Sequence, residues 1–540
     1  MKRGILFIIL TLITFALFAE PMSGIILVGG ELSHYDTLQE AIDAIAENGI
    51  SGNLEIFTNT QMYFNEPVLI SEINQTGDFN ILIKANAVQG YRSTFTNDTV
   101  TSWENNYIFK IENSMNITIE GAKFETTVSG YGNMIVLGAG SQNITIDNCI
   151  FEGAETYSSS YHNSIVLYGG VLPVVSNITI KNSTFNNNYN HITTQTGSYI
   201  NNPFDVSILD CNLTTGYYSI GLTRVTNPIV KGNTINNTNV GIAVSGSGNI
   251  EIANNRVNAS ISGIGVNSFN INSSAKGIYN NIVTVNSSEA AGISIGNSNN
   301  MKIYYNSIIN YSNHWNAKAL SFSGTGHQIK NNSIINYARE AYAFNGINFD
   351  SNTFEHNNIY SRARNIARIG NTYYQTIAEF FSEFYSSTNS YNISIDPMFG
   401  NDLEDQLTES LWIDNKGTFI EGYETDFYGS DRSTTSPDIG ALEFAGNPDY
   451  TPMSGQYWVG DNEGAAFTTL QDAFDALMIR GIEASTLIKL NRLDGDFAEQ
   501  LELLTVPGIS SQRALFIESN TDHYIRNRII ATGTEEKPYL

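Results

Sequence analysis

Asn143-Ile144-Thr145-Ile146-Asp147-Asn148-Cys149-Ile150-Phe151 is the stretch that decides the fold. Ile144 and Ile146 alternate with polar residues, the period-two signal of a short strand. From Ile146 to Phe151 an apolar residue is followed by three mostly polar or small ones, one variable residue and a second apolar one. This bracket occurs ten times. It opens at Ile119, Ile146, Ile180, Ile208, Val230, Ile252, Ile278, Ile303, Ile329 and Phe354, and closes at Phe124, Phe151, Phe185, Leu213, Ile235, Val257, Val283, Ile308, Ile334 and Ile359. Successive openings lie 27, 34, 28, 22, 22, 26, 25, 26 and 25 residues apart. A period in the twenties means one supersecondary unit stacked on copies of itself, because a single unit cannot bury its own apolar side. Helical repeats need more residues, and Asn116-Ile117-Thr118-Ile119 and Asn177-Ile178-Thr179-Ile180 repeat the strand-like alternation. The fold class is therefore all-β, a parallel β-helix solenoid.

The third residue after each opening position runs Ala122, Cys149, Ser183, Cys211, Asn233, Asn255, Asn281, Asn306, Asn332 and Asn357. Six consecutive asparagines in one column predict a ladder. Asn tolerates left-handed backbone in turns, and identical amides stacked at about 4.8 Å can hydrogen-bond in series. These six are assigned a structural role. Cys149 and Cys211 sit in the same column two coils apart, roughly 9 to 10 Å and beyond disulfide reach, so both are expected as buried free thiols.

Met1-Lys2-Arg3, a largely apolar run from Ile5 to Phe18, and Ala19 before Glu20-Pro21 read as a secretory signal peptide over residues 1–19. No later apolar stretch approaches about 20 residues, so the mature chain is expected to be secreted or held at the cell surface without a membrane span. Residues 20–100 are read as an N-terminal cap and first coils, 101–370 as the repeats, 371–446 as a C-terminal cap and acidic wrap, and 447–540 as the start of a second module. The second module rests on an imperfect internal copy. Pro21-Met22-Ser23-Gly24 returns as Pro452-Met453-Ser454-Gly455, and Thr37-Leu38-Gln39-Glu40-Ala41 as Thr469-Leu470-Gln471-Asp472-Ala473. Thr37 with Glu40 forms a capping box, Leu38, Ala41, Ile42 and Ile45 make an apolar face, and Gly49 stops the helix. Such a helix can plug the raw edge of a first coil. The chain stops about 20 residues after the second copy, which predicts either a truncated reading frame or a vestigial last domain. Thr376 to Tyr385 predicts a far-end capping helix with Ile377, Phe380, Phe381 and Phe384 on its apolar side. From Asp402 to Glu443 eleven acidic residues accompany only Lys416 and Arg432, which predicts a polar wrap with little regular structure.

These motifs resemble those of secreted bacterial right-handed parallel β-helix proteins of the pectate-lyase-like superfold. The opening module (Pro21-Met22-Ser23-Gly24, Val28-Gly29-Gly30 and Thr37-Leu38-Gln39-Glu40-Ala41) is similar to the repeat-opening segment of multi-domain surface proteins in that group. Asp396-Pro397-Met398-Phe399, Asp426-Phe427-Tyr428-Gly429 with Arg432, and Pro437-Asp438-Ile439-Gly440-Ala441-Leu442-Glu443 resemble their closing motif. The resemblance implies a right-handed winding and a domain type; it names no reaction.

The formal charge of -26, from 27 basic and 53 acidic residues, argues against nucleic acid and anionic membrane as partners. A polysaccharide lyase or epimerase needs carboxylates or calcium to neutralise a uronate, and a Lys or Arg to abstract its proton. One position after each opening residue come Glu120, Asp147 and Lys181; the next column holds Asp210, so these four are the candidate catalytic set. No Asp-Asp pair is present for a polygalacturonase-type hydrolysis. The seven histidines show no metal-ligand spacing, so no metal site is assigned; calcium is possible but unlocated, and no cofactor is expected. Tyr157, Tyr161, Tyr217, Tyr218 and Trp315 fall in the longer inter-coil loops and are the candidate glycan-binding residues. The leading expectation is an exported, monomeric, non-catalytic module that binds glycans or cell-surface partners. The alternatives are a lyase or epimerase on uronate polymers and a purely architectural spacer.

Overall fold

The computed structural model describes residues 20–530 apart from 60, 75–76, 86–89, 127–129, 155–160, 170–173, 197–203, 269–270, 288, 348, 385–390, 398, 400–409, 462, 493–495, 504–505 and 520–527. The leader assigned to residues 1–19 lies outside the described residues.

All ten brackets stack in register. The opening column runs from Ile119 through Ile146, Ile180, Ile208, Val230, Ile252, Ile278, Ile303 and Ile329 to Phe354, each paired in parallel with the next. The closing column runs likewise from Phe124 to Ile359. The solenoid starts earlier than the bracket pattern does. Ile26, Ile56 and Ile83 head the first column, and Phe64 and Phe95 head the second. A helix and long loops interrupt the bracket there, so the spacing gives no sign of these turns. The coils form a right-handed parallel β-solenoid. One strand per coil makes a 13-stranded sheet, and the remaining strands make a 21-stranded sheet that bends round a corner. Some coils cross that corner as one long strand, such as Thr184–Thr196 and Asn212–Thr223.

The core follows from the columns. Phe64, Phe95, Phe124, Phe151 and Phe185 stack ring on ring with centroids 5.1, 5.8, 5.1 and 4.6 Å apart, close to the strand repeat. Leu213 and then isoleucine and valine replace them in later coils, all essentially inaccessible.

The amide ladder is present. Nδ2 of Asn233, Asn255, Asn281, Asn306 and Asn332 each donates to Oδ1 of the next asparagine at 2.9–3.0 Å. The same oxygens accept the preceding residue's backbone N–H, for example Asn281 N to Asn306 Oδ1 at 3.0 Å. Asn357 extends the ladder to Asn392 at 2.9 Å, where Ile393 pairs with Asn358 as the beginning of a further coil that the bracket pattern misses. In the early coils Ser183 Oγ accepts from Cys149 N at 3.0 Å, and Asn233 Oδ1 accepts from Cys211 N at 2.9 Å. Both cysteines are buried free thiols, and burial pushes each up to about 12.

One part of the expectation moves. The left-handed backbone belongs not to the ladder asparagines but to the residue before each: Gly121, Asn148, Asn182, Asp210, Gly232, Asn254, Asn280, Tyr305, Asn331 and His356, with φ between 51° and 75°. Each coil turns there from the first sheet toward the second, which explains the abundance of Asn in this column.

Helices close the two ends. α1, Leu38–Asn48, has both halves of its capping box and buries Leu38, Ala41, Ile42 and Ile45, with Gly49 at φ 74° as its C-cap. α2, Ile377–Glu383, starts at the N-cap Thr376 and drives Phe380 edge-on into Phe344 and Phe349 at 5.0 and 4.6 Å. The second module repeats the design: α3, Leu470–Arg480, carries its own capping box and precedes strand Ile482–Asn491, which pairs in parallel with Met453–Gly460 and Leu515–Ser519.

The acidic wrap has little strand or helix but is tightly fixed. It runs back along the left-handed column, against coil order. His356 Nδ1 meets the Lys416 carbonyl at 2.8 Å, Asn331 and Tyr305 donate to the Thr418 carbonyl at 2.7 Å, Asn280 donates to Thr425 at 2.7 Å, and Asn254 donates to Asp426 and Phe427 at 3.1 and 2.9 Å. Tyr423 wedges edge-on between Tyr279 and Tyr304 at 4.9 and 5.0 Å. Arg432 is the rivet. Its buried guanidinium lies 4.1 Å over the Tyr305 ring, donates to Asn280 Oδ1 and the Gly440 and Ala441 carbonyls at 3.1, 3.2 and 2.9 Å, and pairs with Glu443 at 3.4 Å. The closing-motif residues thus fasten the segment to the solenoid.

Inside the corner the core turns polar. His191 is fully buried, with Nε2 3.0 Å from the Thr214 carbonyl, and burial lowers its pKa to about 4. A folded value below the ordinary 6.5 means that the unfolded chain takes up the proton first. The contribution of the neutral ring is complete above about 6.5 and is lost as pH falls through about 4, worth about 3 kcal/mol in all. His191→Gln should flatten this part of the acid dependence; equal slopes of melting temperature against pH between 7 and 4 in variant and wild type would refute it.

Candidate functional site

Sheet register places Glu120 opposite Asp147, and Asp147 opposite Lys181, in one row on the outer face of the 13-stranded sheet. The row begins one coil earlier, at Lys84, which pairs with Glu120 in register and through a 3.5 Å ion pair. Lys181 Nζ lies 3.2 Å from Asp147 Oδ2, and Asn182 Nδ2 donates to Asp147 Oδ1 at 2.8 Å. The four side chains therefore neutralise one another in two half-exposed pairs, of the kind worth about 0–1 kcal/mol each. Asp210 lies in the neighbouring column as one of the left-handed turn residues, φ 53°, and its carboxylate fills the space beside Gly232. Leu209 follows Lys181 in the row, and the charged series breaks there. Among the described residues no group of three or more His, Cys, Asp or Glu converges as metal ligands would.

The aromatic candidates share a different place. Tyr217 stacks on Tyr189 with centroids 5.2 Å apart and rings 3° from parallel, and Tyr218 meets Tyr217 edge-on at 5.0 Å. All three are half-buried. They occupy the corner where their coils cross from the second strand to the third. Tyr161, half exposed, lies at the same corner beside Tyr131 at 6.0 Å. Trp315, 56% exposed, sits four coils beyond Tyr217, next to His314. Tyr157 lies outside the described residues. Sequence reading missed Trp103, which is 67% exposed in the loop between strands Thr94–Thr96 and Phe109–Glu112, because the coils before Ile119 carry no bracket to phase it.

Among the described residues no helix is long and apolar enough to cross a membrane. Residues 68–257 match the family model described as right handed beta helix region. A comparison with curated proteins gives no match. Similar solved structures include the surface protein and adhesin PfbA of Streptococcus pneumoniae, 17% identical over 62% of this chain and 95% of that chain, TM-score 0.37. The polygalacturonase of Erwinia carotovora ssp. carotovora is 13% identical over 57% and 94%, TM-score 0.32. The periplasmic alginate epimerase AlgG is 11% identical over 89% and 77%, TM-score 0.31. In register and ladder alike, the chain folds as a right-handed parallel β-helix, and residues 68–257 of it match that family model.

Proposed function

We propose that this protein is an exported β-helix module that binds extracellular glycans and performs no chemistry on them. The observation that carries the reading is the parallel Tyr189 and Tyr217 pair, held at the strand repeat on a rigid corner with Tyr218 against its edge. Rings fixed by backbone register offer flat apolar faces to sugar at little further cost in side-chain entropy. The leader-like segment at residues 1–19 and the charge of -26 support export. The Glu120, Asp147, Lys181 and Asp210 set keeps its alternative as a lyase or epimerase site acting on uronate polymers, because register does bring three of the four together. The two readings separate in one pair of assays on the purified chain. We expect glycan-array signal that falls at least tenfold in Tyr217→Ala, and no unsaturated product from polygalacturonate or alginate followed in the ultraviolet. Steady product lost on Lys181→Ala would replace the binding reading with the enzymatic one; a blank array with no product would leave the architectural spacer.

A further inference from the structure

We infer that the corner joining the second and third strands of each coil is one elongated ridge that takes a neutral polysaccharide chain lengthwise along the solenoid. The inference rests on the glycan-binding reading and adds ligand class, direction and length. Five successive coils each set an aromatic ring at this corner: Trp103, Tyr131, Tyr161, Tyr189 and Tyr217. Trp315 adds a sixth four coils later. Eight inter-coil steps at about 4.8 Å make the ridge roughly 40 Å long.

Single exposed rings are ordinary on a protein surface, but their recurrence at one corner is not. The core does not require it, since the inward positions of the same coils are already filled by the Phe95, Phe124, Phe151 and Phe185 stack. At both ends of the row the rings are not covers: Trp103 and Trp315 are 67% and 56% exposed, and they are the exposed tryptophans among the described residues. The spacing follows the helix axis, so a ligand that touches more than two rings must be extended and run parallel to it. A chain carrying -26 repels a polyanion along its length, which leaves an uncharged polymer as the occupant.

The test is native affinity electrophoresis of the full chain in gels containing galactomannan, mixed-linkage β-glucan or alginate, for wild type, Tyr217→Ala and the surface double variant Trp103→Ala/Trp315→Ala. We expect retardation in at least one neutral polymer and none in alginate. The double variant should lose at least tenfold in apparent affinity for the polymer, while a short oligosaccharide of the same sugar binds it as it binds wild type, because only a long ligand reaches both ends. Wild-type retardation by the double variant, with loss confined to Tyr217→Ala, would overturn the ridge and leave a local glycan site standing. Stronger retardation by alginate than by either neutral polymer would overturn the assignment of ligand class.

Discussion

Arg432→Ala should release the closing segment from the solenoid while the coils stay wound. The guanidinium is wholly inaccessible, is held by an amide oxygen, two carbonyls and Glu443, and covers the Tyr305 ring. Removing it leaves Glu443 without its cation. It also leaves Tyr305 bearing an uncompensated left-handed backbone, φ 53°, of the kind that costs about 1–3 kcal/mol in a non-glycine residue. Breaking a buried ion pair from one side costs about 3–5 kcal/mol, so the wrap should detach well before the rest unfolds. Hydrogen exchange resolves this: backbone amides of residues 415–441 should gain protection-free exchange in Arg432→Ala, while those of Ile144, Ile178 and Ile208 keep wild-type rates. Arg432→Lys should fall between, since one ammonium cannot reproduce the planar fork. Unchanged exchange across residues 415–441 in Arg432→Ala would show that the tyrosine wedge and the asparagine clasps hold the segment unaided.

Asn306→Leu should be the most damaging single change in the ladder. Asn306 Oδ1 accepts two bonds from Asn281, from its backbone N and its Nδ2, both at 3.0 Å. Its own Nδ2 donates to Asn332 Oδ1, Ile278 O and Tyr304 O at 2.9–3.0 Å. Leucine is similar in size and branching but satisfies none of these. Asn281 N–H loses its buried acceptor, and the Ile278 and Tyr304 carbonyls lose the Asn306 amide. Asn281 Nδ2 keeps Ile252 O and Tyr279 O, and Asn332 Oδ1 keeps the backbone N–H of residue 306, so roughly 2–4 kcal/mol is expected. Because a solenoid couples mainly nearest neighbours, the loss should appear as an earlier urea transition of the coils around residue 306. Asn392→Ala, at the half-exposed end of the ladder, should cost about 1 kcal/mol. Equal midpoints for Asn306→Leu and Asn392→Ala would mean that the amides contribute by filling space and not by bonding.

The repeat was legible because every bracket carries its own register: four residues lie between two inward positions, and no loop intervenes. The spacing therefore fixes the column from Ile119 to Phe354, and the ladder column with it. The asparagines were legible as a column but not by role, since Asn148, Asn182, Asn254, Asn280 and Asn331 sit one position before the ladder and only backbone angles tell the two columns apart. Lys84 stayed hidden because α1 and unequal loops break the phase of the first coils, so the row through Glu120 read as three charges instead of two pairs. The corner ridge stayed hidden for the same kind of reason. Its rings lie in segments of variable length, and sequence spacing carries no angle around the axis. The wrap's fastenings span roughly 60 to 170 residues of chain, as His356 to Lys416 and Asn254 to Phe427 do, and no local pattern announces a bond of that reach.

The backward course of the wrap has a mechanical consequence. It crosses the coils from His356 to Asn254 like a strap clasped at both ends and riveted between them, so those turns cannot peel away one at a time from the C-terminal side. Under tension or partial denaturation that half should yield as a block, whereas the turns before Gly232, on which no strap bond falls among the described residues, should unzip singly from the end that α1 guards.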